Sequence, residues 1–172
     1  MVTAVIATIG EDRPGMVNEL SQLVHQLDLN IEDSRMTVLG GEFAVLMSVS
    51  GDAGLMDTLQ THLSQLCQDS DLAFVFRKTQ PRPVDRAIPY AVTVVAMDHP
   101  GIVSRIAGFF SERSINISEL NTETERAAHT GTPIFNLHMT VELPAGLKVA
   151  ELRRDFEAFC DEHDLDGRLQ AG

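Results

Sequence analysis

Apolar positions along the chain recur with two periods, and the two alternate. TAVIATI at 3–9 and YAVTVVAM at 90–97 are short runs of β-branched and small apolar residues, too brief for helices, and they predict strands. Each run ends at Asp-x-Pro-Gly, after which the period changes. Val17, Leu20, Leu23, Val24 and Leu27 recur at helical spacing, as do Val103, Ile106, Phe109 and Phe110, so each segment predicts a helix that lays one apolar stripe on a sheet. Pro14 and Pro100 suit a first helical turn, and Asn30 and Asn116 are expected to end these helices. IEDSRMTVLGGEFAVLMSVSG then reads as a hairpin with Gly40-Gly41 at its tip, and the alternation of Phe43, Val45, Met47 and Val49 turns one face inward. A second hairpin has the polar tip ETERAAHTGTP before IFNLHMTVEL. Further helical stripes follow at Leu55, Leu59, Leu63, Leu66 and Cys67, and at Val149, Leu152, Phe156, Phe159 and Cys160. LAFVFRK is a clear closing strand, whereas LDGRLQAG is short and broken by glycine, so the last strand is clear only once.

These patterns repeat because the sequence does. A shift of 86 residues lays Asp12, Pro14, Gly15 and Val17 on Asp98, Pro100, Gly101 and Val103, and Asn30-Ile31 on Asn116-Ile117. Six residues inserted in the second copy move the offset to 92, where Phe43, Met47, Val49 and Gly54 meet Phe135, Met139, Val141 and Gly146. At offset 93, Leu59, Leu63, Cys67 and Leu72 meet Leu152, Phe156, Cys160 and Leu165. The chain therefore reads as two domains, 1–79 and 89–172, joined by a Pro-rich linker at 80–88, with the lengthened hairpin of the second at about 125–133. Strand, helix, strand, strand, helix, strand is the ferredoxin-like order. The expected fold class is thus α+β, two βαββαβ domains, each an antiparallel sheet with its helices on one face.

Composition narrows the function by exclusion. The 172 residues carry a net charge of −12 with acid in excess in both halves, and no basic stripe interrupts it, so direct contact with nucleic acid is not expected. No apolar run approaches the ~18 residues of a membrane span, the N-terminal stretch has no basic leader, and Cys67 and Cys160 fall on buried helical stripes. A cytoplasmic protein without a membrane anchor is expected. Catalysis is not: the six histidines (His25, His62, His99, His129, His138 and His163) form no pair at close metal-ligand spacing, and neither cysteine stands beside a base. LGGE and SGDAG lack the lysine and hydroxyl residue of a phosphate loop and read as turns. No metal or cofactor is expected. His129, within the polar hairpin tip, belongs either to a partner-binding loop or to a loop of tolerated length.

The duplicated Asp-x-Pro-Gly carries the remaining chemistry. A strand that stops at a loop and feeds a helix presents N–H groups with no internal partner, a small anion site into which a free carboxylate fits. Gly15 and Gly101 would let a ligand approach the backbone closely. Against this stands the plainer reading that Pro-Gly only punctuates a strand-to-helix turn, since duplication preserves a structural turn too. Asp12 and Asp98 are likewise open between helix capping and direct ligand contact.

Asp-Arg-Pro-Gly-Met-Val followed by Asn-Ile within this element order resembles the ACT domain, the amino-acid-sensing module attached to many metabolic enzymes, and both halves match it. A tandem without an enzyme attached, with GTPIFNLHMTVELPAG after a lengthened hairpin, more narrowly resembles the glycine cleavage repressor family. That resemblance implies a non-catalytic, ligand-responsive regulator that engages a DNA-bound activator of the LysR type and responds to a small amino acid, glycine above all. It implies effector sites between paired modules: Asp12, Arg13, Pro14, Gly15, Asn30 and Ile31 for the first copy, and Asp98, His99, Pro100, Gly101, Asn116 and Ile117 for the second. Backbone N–H groups at the glycines would hold the carboxylate, and the asparagine carbonyls, with Asp12 or Asp98, would accept from the ammonium group. A homodimer is expected. The alternative is an ACT subunit conveying feedback control to a separate biosynthetic enzyme, and a small hydrolase or transferase is a third reading with no residue to carry it.

Overall fold

In a computed structural model of the chain, residues 1–80, 87–128 and 130–171 are described. The chain divides into two compact units, Met1–Pro83 and Val84–Gly172. Of the expected linker, 81–86 lie outside the described residues, as does His129 at the second hairpin tip.

The first unit runs β1 (Val2–Glu11), α1 (Met16–Gln26), β2 (Asn30–Leu39), β3 (Glu42–Gly51), α2 (Ala53–Asp69) and β4 (Ala73–Thr79). The second repeats it as β5 (Ile88–Met97), α3 (Ile102–Ser111), β6 (Asn116–Arg126), β7 (Pro133–Leu143), α4 (Val149–Glu162) and β8 (Asp166–Ala171). Each sheet is antiparallel throughout, ordered β2-β3-β1-β4 and β6-β7-β5-β8. This is the α+β, ferredoxin-like arrangement the periodicity predicts. Alternate residues of each central strand, Ala4 and Ile6 or Val92 and Val94, are buried under the helices with Leu20, Val24, Leu59 and Leu63, or with Ile106, Phe110, Leu152 and Phe156.

The second hairpin gains its six residues in three places. β6 and β7 each run one residue longer than β2 and β3, and the connection grows from Gly40-Gly41 to residues 127–132. In the first hairpin both turn glycines have positive φ, 63° and 94°, the requirement of a type I′ turn. β8 is a genuine strand paired with β5, and its glycine has a packing cause. A Cβ at Gly167 would collide with Cys160 Sγ and stand 3.1 Å from Phe156. The first unit has the reverse arrangement, Leu63 on the helix and Phe74 on the strand, where the second has Phe156 and Gly167.

Three local expectations are corrected. Asn30 and Asn116 do not end helices but open β2 and β6. All four helices stop the same way, at a residue with φ between 53° and 55° (Asp28, Asp71, Ser114, Asp164), and the next N–H bonds back to a helix carbonyl five residues earlier. Pro14 and Pro100 precede the helix N-caps, Gly15 and Gly101, rather than lying in the first turn. Gly54 and Gly146 align in sequence but differ in role, one inside the first turn of α2 and the other at φ 93° ahead of α4.

Candidate functional site

The two Asp-x-Pro-Gly loops have nearly the same backbone. Gly15 takes φ 98°, ψ −11° and Gly101 φ 97°, ψ −4°, each as the N-cap of the following helix. Only glycine occupies this left-handed region without cost. Close approach is not the reason for glycine, because a Cβ at Gly15 would meet nothing nearer than Glu19 Oε1 at 3.7 Å, and one at Gly101 nothing nearer than Arg105 Nε at 3.9 Å. Neither helix has a side-chain cap, so Asp12 and Asp98 are not capping residues and the first helical N–H groups stay open to a ligand. The loops are anchored from behind: Asp12 N–H donates to Gly41 O at 3.2 Å and Asp98 N–H to Pro133 O at 3.1 Å. In the first unit, Asp12, Arg13, Pro14 and Gly15 line a cavity of about 350 Å³ with Met16, Val17, Asn18 and Phe43.

Charge separates the two loops. Arg13 donates two hydrogen bonds to Glu19, at 2.7 and 2.6 Å, and approaches Ser70 Oγ at 3.4 Å. The hydrogen bond from Arg13 holds the Glu19 carboxyl below the usual carboxylate range. At the matching positions the second unit has His99 and Arg105. Among the described residues neither forms an ion pair, and His99 Nδ1 lies 3.1 Å from Pro100 O. The first loop has therefore neutralised its cation, while the second keeps Arg105 unopposed.

Asn30-Ile31 and Asn116-Ile117 lie elsewhere in their units. Asn30 pairs with Ser50, which pairs with Thr3 at the start of β1, nine residues before Asp12. At roughly 3.3 Å per residue, the two halves of the expected site are about 30 Å apart. The same holds for Asn116, opposite Glu142 and Pro89, against Asp98. The structure thus brings Asp12 to Gly15 together, and Asp98 to Gly101, but no single unit unites loop and asparagine. A β-bulge follows each Asn-Ile, between Ile31 and Asp33 and between Ile117 and Glu119.

Both asparagines have acidic neighbours that the sequence motif did not reveal. Asn30 Nδ2 donates to Glu32 at 3.0 Å, and Ser50 also donates to Glu32; Asn116 Nδ2 donates to Glu142 at 2.9 Å. Hydrogen bonds from Ser50 and Asn30 hold Glu32 below the usual carboxylate range. The acid has changed strand between copies: Glu32 aligns with Ser118, and Ser50 with Glu142. That exchange hides the pairing from a linear comparison of the repeats. Each asparagine amide N–H is engaged, and its carbonyl oxygen remains an acceptor.

Elsewhere the chemistry is sparse. Cys67 and Cys160 are buried and free. Burial raises the Cys67 thiol, and burial first, then Asp161, Asp166 and Glu157, pushes Cys160 up to about 11, so both are held as thiols. No group of three or more metal-ligating side chains occurs among the described residues, and no helix there is long and apolar enough to cross a membrane.

Two family models described as ACT domains match the chain, over residues 3–77 and 90–159. The chain belongs to the ACT-domain family. The glycine cleavage system transcriptional repressor of Escherichia coli (strain K12) is 32% identical to this ACT tandem over 167 residues, 96% of this chain and 87% of the relative, and that of Shigella flexneri matches with the same figures. A crystal structure provisionally described as a glycine cleavage system transcriptional repressor aligns with a TM-score of 0.75 at 29% identity, covering 98% of this chain and 96% of the other. An unknown protein from Galdieria sulphuraria aligns at 0.83 and 26%, covering 99% and 98%. These relationships support a regulatory ACT protein.

Proposed function

We propose that this tandem ACT protein is a ligand-responsive transcriptional regulator that makes no nucleic-acid contact of its own. It binds a small amino acid, glycine in the simplest case, where two ACT modules pair, and thereby alters its grip on a DNA-bound activator of the LysR type that drives glycine cleavage genes. The observation that carries this reading is the same uncapped helix N-terminus behind a left-handed glycine in both modules of a chain related along 96% of its length to such a repressor. Its charge supports contact with a protein partner rather than DNA.

The chemistry follows from the two half-sites. The open N–H groups after Gly15 or Gly101 receive the carboxylate. Asn30 with Glu32, or Asn116 with Glu142, receives the ammonium group, the asparagine carbonyl and the carboxylate both being acceptors. A ligand is only a few ångströms long, so half-sites about 30 Å apart within a unit can serve it only when one module's loop meets another module's second strand. Binding then favours the paired arrangement, which is how it alters affinity for the activator. The second loop, with Arg105 unopposed, is the stronger carboxylate receptor.

The test is thermal unfolding against a panel of free amino acids, followed by circular dichroism because the chain has no Trp. Glycine at 100 times its dissociation constant raises native stability by about 2.7 kcal/mol. The shift is expected to shrink more in Gly101→Val than in Gly15→Val. If no small amino acid shifts the transition, the duplicated turn is structural and the sensor reading is wrong.

A further inference from the structure

α3 and α4 line an open groove of about 610 Å³. Gly108 on α3 and Ala158 on α4 line it, standing where the first unit has Gln22 and Gln65. Glycine weakens a helix interior. Nothing among the described residues requires it here, because a Cβ at Gly108 would meet none of their atoms within 4 Å. The groove is floored by Phe109 and Phe159, with ring centroids 5.0 Å apart, and Arg113 lies 3.8 Å above the Phe109 ring.

Charges surround this apolar floor. α3 follows β5 and α4 follows β7, and those strands are antiparallel, so the helices run in opposite directions. Arg105 therefore shares one end of the groove with Glu162, and Glu112 shares the other with Asp155. Among the described residues none of the four forms an ion pair. Their order along α3 is self-complementary: Arg105 and Glu112 are seven residues apart, about two helical turns, on one face, with Gly108 between them. A second α3 crossing antiparallel over Gly108 sets Arg105 against the partner's Glu112, and Glu112 against the partner's Arg105. It also runs parallel to α4, which brings the partner's Arg105 toward Asp155.

We propose that this groove is where a second copy of the chain docks, α3 against α3, across a two-fold axis at Gly108. An isologous contact needs a patch complementary to itself, and a small residue at the crossing lets the helices approach. The axis lies on α3 and not on α4, because Asp155 and Glu162, also seven residues apart, would meet as acid against acid. Because Arg105 also serves the second loop as the cation for a ligand carboxylate, this contact is one of the ligand-free chain.

Sedimentation equilibrium of the whole chain over about 1–100 µM tests it. The wild-type chain is expected to dimerise, and Gly108→Gln, which restores the first unit's residue, to weaken dimerisation about tenfold or more. Arg105→Glu and Glu112→Arg are each expected to weaken it similarly, and the double variant R105E/E112R to recover most of the loss. Circular dichroism verifies folding, and should Gly108→Gln fail to fold, the charge exchange decides. A monomer across the whole range, a dimer indifferent to both single reversals, or a double variant no better than either reversal overturns the proposal.

Discussion

Across the open face of the first sheet, Val75, Ala7, Leu46 and Arg35 form one cross-strand row; the matching row of the second sheet is Arg168, Thr93, His138 and Asn121. The next row compares Ala73, Ile9, Ala44 and Thr37 with Asp166, Val95, Asn136 and Glu123. Val75, Leu46 and Ile9 are 62%, 48% and 47% exposed, whereas in these rows of the second face Val95, 43% exposed, is the one large apolar residue and the rest are polar. The helix-covered faces, by contrast, are apolar in both units. Burial under helices constrains one side of a ferredoxin-like sheet, and the other side is free to change after duplication. The interiors diverge too, but as exchanges of volume. Phe109, Phe110, Phe156 and Phe159 stand where the first unit has Leu23, Val24, Leu63 and Leu66, and Gly167 on β8 yields the space that Phe74 fills on β4.

The largest expected effect comes from the aromatic core. Phe156 is fully buried against Phe109 and Phe110, and Phe156→Ala is expected to cost about 3–5 kcal/mol in thermal or urea unfolding. A smaller cost would mean that the second interior is loosely packed. The volume exchange is tested next by Gly167→Ala, which forces a methyl against Cys160 and should cost about 1–3 kcal/mol. Adding Cys160→Ala is expected to return most of that; two independent, additive losses would show that the two sites do not share the space.

A third prediction has the opposite sign. Thr8 is 3% exposed, its hydroxyl has no partner among the described residues, and the second unit has Val94 at the same position. Thr8→Val is expected to stabilise by about 1 kcal/mol, by relieving an unmet hydrogen-bonding group, and Val94→Thr to destabilise. The smallest effect is a pH dependence of the first loop. Because pairing with Arg13 lowers Glu19 in the folded state, its contribution is present above the unfolded value of about 4.3 and is lost as pH falls through the lower folded value. Acid titration should thus show a small loss that Glu19→Gln removes, with no counterpart at Arg105.

The repeat, the order of elements ahead of the last strand and the helical period were legible in the chain because they rest on local periodicity, although Val17, Leu55 and Val103 of the expected stripes are exposed and Met16, Met56 and Ile102 are buried instead. The last strand was not, since the glycine that breaks its pattern answers to Phe156 and Cys160 on a helix. The loop glycines were found by their motif, but for a different reason than the one that holds. Their left-handed backbone, and not room for a ligand, demands glycine there. Glu142 escaped notice because it reaches Asn116 only through the β6–β7 register, and Glu32, although two residues from Asn30 on the same strand, is held by Ser50 from across the sheet; register depends on the bulges as well as on sequence order.

What the sequence determined by itself is therefore the number of modules, the fold of each and the position of the two loops, all encoded in residues close together along the chain. Tertiary structure alone decided that loop and asparagine lie at opposite ends of each sheet, that Arg13 is neutralised while Arg105 is not, and that the two open faces differ in character. These depend on which strands pair and in what register, and such long-range contacts leave no periodic trace in a single chain.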